Sequence, residues 1–132
     1  MKRFQRLLFT ALMCVTTGIF AQSNTNALIG YWEVQNITVG GVEDKGEAGA
    51  YWIFRKDGSF KIIKRGRKPD GKWATELENK LSLEIHGQPK LEGTWEIDKE
   101  TLTFKADQGG NILIFTFIKR YLKEEPSEPN TK

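Results

Sequence analysis

From residue 28 to residue 118, apolar and polar side chains alternate in short runs broken by Gly, Asp and Pro. This two-residue period belongs to strands that bury one face and wet the other, because successive side chains of a strand point to opposite sides. The first run, residues 28–38, puts Trp32 and Val34 on one face and Glu33 and Gln35 on the other. Residues 50–55 and 59–64 flank Lys56-Asp57-Gly58, and a three-residue loop ending in Gly closes a hairpin and fixes its register. Phe54 then lies opposite Phe60, and Trp52 opposite Ile62. A second hairpin, 93–98 and 101–106 around Lys99-Glu100, sets Trp95 and Ile97 against Phe104 and Leu102, with Glu96, Thr101, Thr103 and Lys105 on the wet side.

Residues 72–77 and 80–85 supply two more strands, with Trp73, Leu77, Leu81, Leu83 and Ile85 as core, before the break at Gly87-Gln88-Pro89. The last run, 112–118, is apolar on both faces: Ile112, Ile114 and Ile118 alternate with Leu113, Phe115 and Phe117. Its outer side therefore calls for a cover, whether the tail, another chain or a membrane. Residues 123–132 are polar and carry two prolines, which predicts a disordered tail. No stretch shows a helical period. The pattern predicts an all-β fold, an antiparallel up-and-down barrel of about eight strands, occupying residues 22–122 as a single domain.

The start of the chain has a different character. Lys2, Arg3 and Arg6 precede an apolar run over residues 7–20 that is short for a bilayer span, and Ala21 is small enough to precede a cleavage site. Residues 1–21 are thus read as a signal peptide, which implies an exported protein, periplasmic or secreted, with no stable membrane span after processing. Processing also changes the charge. All 17 acidic residues but only 17 of the 20 basic ones lie beyond position 21, so the mature chain is formally neutral. The basic balance of the whole chain then gives no reason to expect a nucleic-acid partner. The single cysteine, Cys14, falls within the leader, and the mature chain forms no disulfide.

One segment repeats: Leu28-Ile-Gly-Tyr-Trp-Glu-Val returns as Leu91-Glu-Gly-Thr-Trp-Glu-Ile. Two copies with an irregular middle are two strands solving one packing problem, not a solenoid. The first copy resembles the Gly-x-Trp start of the first strand in lipocalins and in smaller bacterial lipocalin-like domains of the calycin type. The phenylalanine-rich strand before Asp57-Gly58 and the Gly-Thr-Trp-Glu-Ile segment are similar to the bacterial members. The other lipocalin signature segments and the helix after the barrel have no counterpart. In that group the Trp closes one end of the barrel, and a basic residue after the last strand packs across it. The resemblance puts Gly30, Trp32 and Arg120 in those positions, with Arg120 stacked on Trp32 for about 1 kcal/mol.

Candidate chemistry is sparse. His86 is the sole histidine and alternates with Glu84 and Ser82 on the wet face of its strand, so it offers no nucleophile–base pair. A lone histidine without cysteine gives no zinc ligand set. Gly40-Gly41 and Gly109-Gly110 are turns, since neither opens a helix as a phosphate loop does. No cofactor, metal site or catalytic residue is assigned, and the chain is not read as an enzyme. Lys61, Lys64, Arg65, Arg67, Lys68 and Lys72 form the densest charge feature. It reads as a solvated connection, with an anion-binding loop as the alternative.

The lipocalin-like resemblance implies a binding module that holds a small apolar or amphipathic ligand. Its lining would be Trp52, Phe54, Phe60, Ile62, Trp95, Ile97, Leu102 and Phe104. Their bulk argues the other way, because a barrel of this size can be filled by its own side chains. A structural or interaction module, docking or forming a homo-oligomer through the strand from Ile112 to Ile118, is the alternative.

Overall fold

A computed structural model describes residues 25–76 and 79–130. The expected signal peptide, Cys14 and Leu77 lie outside these residues. Nine strands run in chain order: β1 Gly30–Val39, β2 Val42–Asp44, β3 Tyr51–Phe54, β4 Ser59–Ile63, β5 Asp70–Glu76, β6 Lys80–Ile85, β7 Leu91–Asp98, β8 Thr101–Gln108 and β9 Asn111–Arg120. Each strand from β3 to β9 pairs antiparallel with the next, and β1 pairs with both β3 and β9. Eight strands therefore close into a barrel, as the alternation predicts.

Both hairpin registers match the sequence reading. Phe54 pairs with Phe60 and Trp52 with Ile62, while Trp95 pairs with Phe104 and Ile97 with Leu102. Strand β2 is an addition. Gly40 and Gly41, both at positive φ, fold the end of β1 back on itself so that Val39 pairs with Val42. The resulting flap continues the edge of β1 beyond its pairing with β3.

The repeated glycines have steric causes. A Cβ at Gly93 would overlap the carbonyl oxygen of Lys105 on β8, and Gly30 sits at φ 139° beneath the Lys119 ammonium. At Gly93 the close approach of backbone excludes a side chain, and at Gly30 it is the positive φ that favours glycine.

The two barrel ends differ. One holds the β3–β4, β5–β6 and β7–β8 turns, and residues 25–29 cross it, with Leu28 fully buried as a plug. The Trp32 indole N–H donates to the Leu28 carbonyl at 2.8 Å. Lys119 Nζ lies 4.9 Å from the Trp32 ring centre and donates to the Ile29 carbonyl at 3.0 Å. This corrects the expected role of Arg120. Trp32 pairs with Lys119, so the inward face of β9 runs Leu113, Phe115, Phe117, Lys119, and Arg120 points outward to Glu33.

The tail also departs from expectation. Residues 121–130 have neither helix nor strand, yet they are anchored to the outside of β1, β3 and β4. Glu125 pairs with Arg55 and with Lys61, and Asn130 bonds the Glu33 carboxylate at 2.9 Å and the Gly49 carbonyl at 2.7 Å. These anchors straddle Tyr51, Ile53 and Ile63, an apolar group on the outer face that is buried. The outer face of β9 is not where the tail lies.

Candidate functional site

The inward face explains the stability of the barrel. Seven of the eight residues expected to line it, Trp52, Phe54, Phe60, Ile62, Trp95, Leu102 and Phe104, belong to one buried cluster, and Ile97 packs against it half-buried. The rings are in contact. The centroid of Trp52 is 5.4 Å from that of Phe60, 5.0 Å from Phe115 and 4.8 Å from Phe117. Such pairs prefer the tilted and edge-on geometries seen here and fill the middle of the barrel with side chains. The sequence-predicted set is therefore one structural unit, and much of it is packed core.

Burial is not uniform along the axis. At the plugged end Leu28, Trp32, Phe54, Leu81 and Leu102 are at most 1% exposed, while Trp73 reaches 9% and Ile29 and Ile97 are half-buried. At the other end Ile85, Leu91 and Phe115 reach 7–9%, and Ile37 and Leu113 are only half-buried. The inward apolar face thus comes up to solvent at this end. The sequence reading missed Ile37, Leu91, Leu113 and Phe115 as residues of the open end. Alternation marks all four as inward or ambiguous, but it cannot tell which end of a barrel is sealed.

Inside, one polar group stands out. The indole N–H of Trp73 donates to the Arg55 carbonyl at 2.8 Å, and Trp32 is satisfied by Leu28. Trp95 Nε1, buried in the barrel wall level with Phe104, has no hydrogen-bond partner among the described residues. A buried donor left unmade costs about 1–3 kcal/mol.

Glu33 is the buried carboxylate of the outer face. Burial pushes its pKa up, but hydrogen bonds from Asn130, Arg120 and Gln35, with the Arg120 charge, outweigh that and hold it below the usual carboxylate value. Arg120 is raised in turn by its hydrogen bond and charge interaction with Glu33. Burial lowers the Lys119 ammonium. These groups fasten the tail and the plug and are spent on the fold.

Polar clefts also line the outer wall. The larger, about 490 Å³, is bounded by Asp57, Ser59, Lys72, Trp73, Ser82 and Glu84, and a neighbouring one of about 450 Å³ reaches His86. Ser59 is engaged by Asp57 Oδ1 at 2.7 Å, and His86 is exposed, with its backbone N–H bonded to the Asp70 carbonyl. No grouping of His, Cys, Asp or Glu able to hold a metal ion occurs among the described residues. No helix among them is long and apolar enough to cross a membrane.

No family model matches the chain. Nor does any curated protein sequence. Among solved structures, the fold is similar to that of a DUF4847 family protein from Bacteroides vulgatus ATCC 8482, with a TM-score of 0.55 at 12% identity, covering 73% of this chain and 96% of that one. At that identity the likeness establishes a small closed β-barrel and nothing finer.

Proposed function

We propose that the chain is an exported, lipocalin-like binding module that takes a small apolar or amphipathic molecule into the open end of its barrel. The observation that carries this reading is the inward apolar face left part-exposed at the open end, where Ile37 and Leu113 are half-buried beside Phe115. A ligand with an apolar body would cover Ile37, Leu91, Leu113 and Phe115. The reading assigns no bond-making step to the site. It also resolves the objection from bulk: the packed middle of the barrel is the floor beneath the open end, and the ligand sits above it.

Native mass spectrometry of the mature protein, purified gently from its own host, tests the reading. A discrete extra mass is expected, and Leu113→Trp, which plugs the mouth at a half-buried position, should remove it. Ligand-free protein from the host, or a bound mass indifferent to Leu113→Trp, overturns the reading.

A second reading rests on a different observation. The tail lies against β1, β3 and β4, so the outer ridge of β9, Ile112, Ile114 and Ile118, stays partly exposed, with Thr38 and Lys105 on either side of Ile114 and Asp107 beside Ile112. A two-fold contact sets one patch against its own copy, and an apolar ridge with a cation and a carboxylate along its flank fits a second copy. Light scattering of the Ile114→Asp variant tests it: a dimer that becomes monomeric supports a homo-oligomer through this strand, and a wild-type monomer at high concentration removes it.

A further inference from the structure

The open end of the barrel carries two features that ligand binding does not use. The first is an apolar tip. Val42 is 71% exposed, Ile112 49% and Val39 39%; Val39 pairs with Val42 and with Leu113 and shares their face, while Ile112, whose carbonyl accepts from the Gly40 N–H, adjoins them on the other face of the same tip. The flap formed by β2 thus pushes large aliphatic side chains out beyond the barrel rim, where they add nothing to the core.

The second is cationic. Between β4 and β5 the chain forms a tight hairpin, with Lys64 and Arg67 exchanging both backbone hydrogen bonds at 2.9 and 3.2 Å around a turn at Arg65-Gly66. Arg65, Arg67 and Lys68 are exposed and form no ion pair among the described residues, whereas Lys64 pairs with Glu47 at 3.5 Å. That pair joins the hairpin to the connection between β2 and β3, which sets it beside the apolar flap. The rim also carries carboxylates, most of them with a local partner. Glu43 pairs with Lys45, Glu47 with Lys64, Asp44 accepts from the Gly46 N–H and Asp107 from the Gly110 N–H. Asp70, at the base of the hairpin, has no ion pair among the described residues. Lys64, Arg65, Arg67 and Lys68 stand against Asp70 alone within the hairpin, which is therefore locally positive although the mature chain is formally neutral.

Aliphatic side chains next to unpaired cations at one end of a rigid barrel match an anionic lipid surface. The aliphatic groups enter the interfacial layer, and the cations meet the phosphates. We infer that this end docks on the surface of an anionic bilayer, through Val39, Val42 and Ile112 together with Arg65, Arg67 and Lys68. A polyanion such as a nucleic acid or an acidic polysaccharide would satisfy the cations but leave Val42 in water, and the bilayer is favoured for that reason. The inference stands on the rim alone and does not need the barrel to hold a ligand.

The test is co-sedimentation of the mature protein with phosphatidylcholine vesicles, with and without phosphatidylglycerol. Binding is expected only to the anionic vesicles. Arg65→Gln, Arg67→Gln and Lys68→Gln together should weaken it about a hundredfold, and Val42→Asp alone about tenfold or more. All four positions are exposed, so thermal unfolding should not change and folding failure is separable from loss of docking. Three results each overturn the inference: no binding to anionic vesicles, equal binding to neutral ones, or binding that Val42→Asp leaves intact. The last, with heparin competing fully, would identify the hairpin as a polyanion site instead.

Discussion

Lys119, not Arg120, packs on Trp32: its ammonium lies 4.9 Å from the ring centre and is hydrogen-bonded to the Ile29 carbonyl. One contact therefore ties the last strand, the first strand and the plug together. Lys119→Met keeps the length of the side chain but removes the cation and leaves Ile29 without its donor. It should cost about 1–2 kcal/mol in urea unfolding. Arg120→Met leaves the plug alone and acts on Glu33. If the two variants were equally destabilising and both loosened residues 25–29 in hydrogen exchange, the division of roles drawn here would be wrong.

The exchange of those two residues shows where sequence is a poor guide. Along β4, β7 and β8 polar and apolar positions alternate, and the Lys56-Asp57-Gly58 turn carries the register of β4 over to β3, so parity can be read, and four cross-strand pairs come out in the observed register. Strand β9 is apolar on both faces, the period vanishes, and nothing in the run says whether residue 119 or 120 continues the inward side. Alternation also says nothing about the ends of a barrel. The plug by Leu28, the part-exposed end near Phe115 and the orphaned Trp95 donor arise from closure, and closure depends on pairings between distant strands such as β1 with β9. The tail was hidden for another reason. Its anchors, Glu125 and Asn130, are polar residues in a Pro-bearing stretch, and their partners Arg55, Lys61 and Glu33 are brought together only by the folded outer wall.

Acid should release that tail. The folded pKa of Glu33 is depressed, so its contribution to stability is complete above its ordinary value of 4.5 and fades as the pH falls through the lower, folded value. Protonation removes the charge that faces Arg120 and weakens the bond from Asn130. Limited proteolysis within residues 121–130 should therefore accelerate at acid pH while the barrel stays folded, and Glu33→Gln should cleave fast already at neutral pH. A cleavage rate independent of pH from neutral down to this range would contradict the assignment.

Trp95 sets two effects against each other. Replacing its indole with the smaller apolar ring of Phe removes the unpaired donor at some cost in packing volume, and the two effects, each about 1–2 kcal/mol, oppose one another. Trp95→Phe should therefore unfold close to the wild-type urea midpoint. A clear loss of stability would show that the donor is satisfied in the folded protein by a buried water.

The glycines of the repeated segment give the sharpest steric test. A Cβ at Gly93 would run into the backbone of Lys105, and backbone in the middle of a closed barrel cannot retreat, because β8 is held on its other side by β9. At Gly30 the obstacle is the far end of the flexible Lys119 side chain, at 3.2 Å, and the strain is mainly in a backbone at φ 139°. Gly93→Ala should therefore cost more than Gly30→Ala, about 3 kcal/mol or more against about 1–2 kcal/mol. Chemical denaturation of the two single variants decides it: the reverse order would mean that the β7–β8 contact can spread, and that this wall of the barrel is softer than its hydrogen bonds imply.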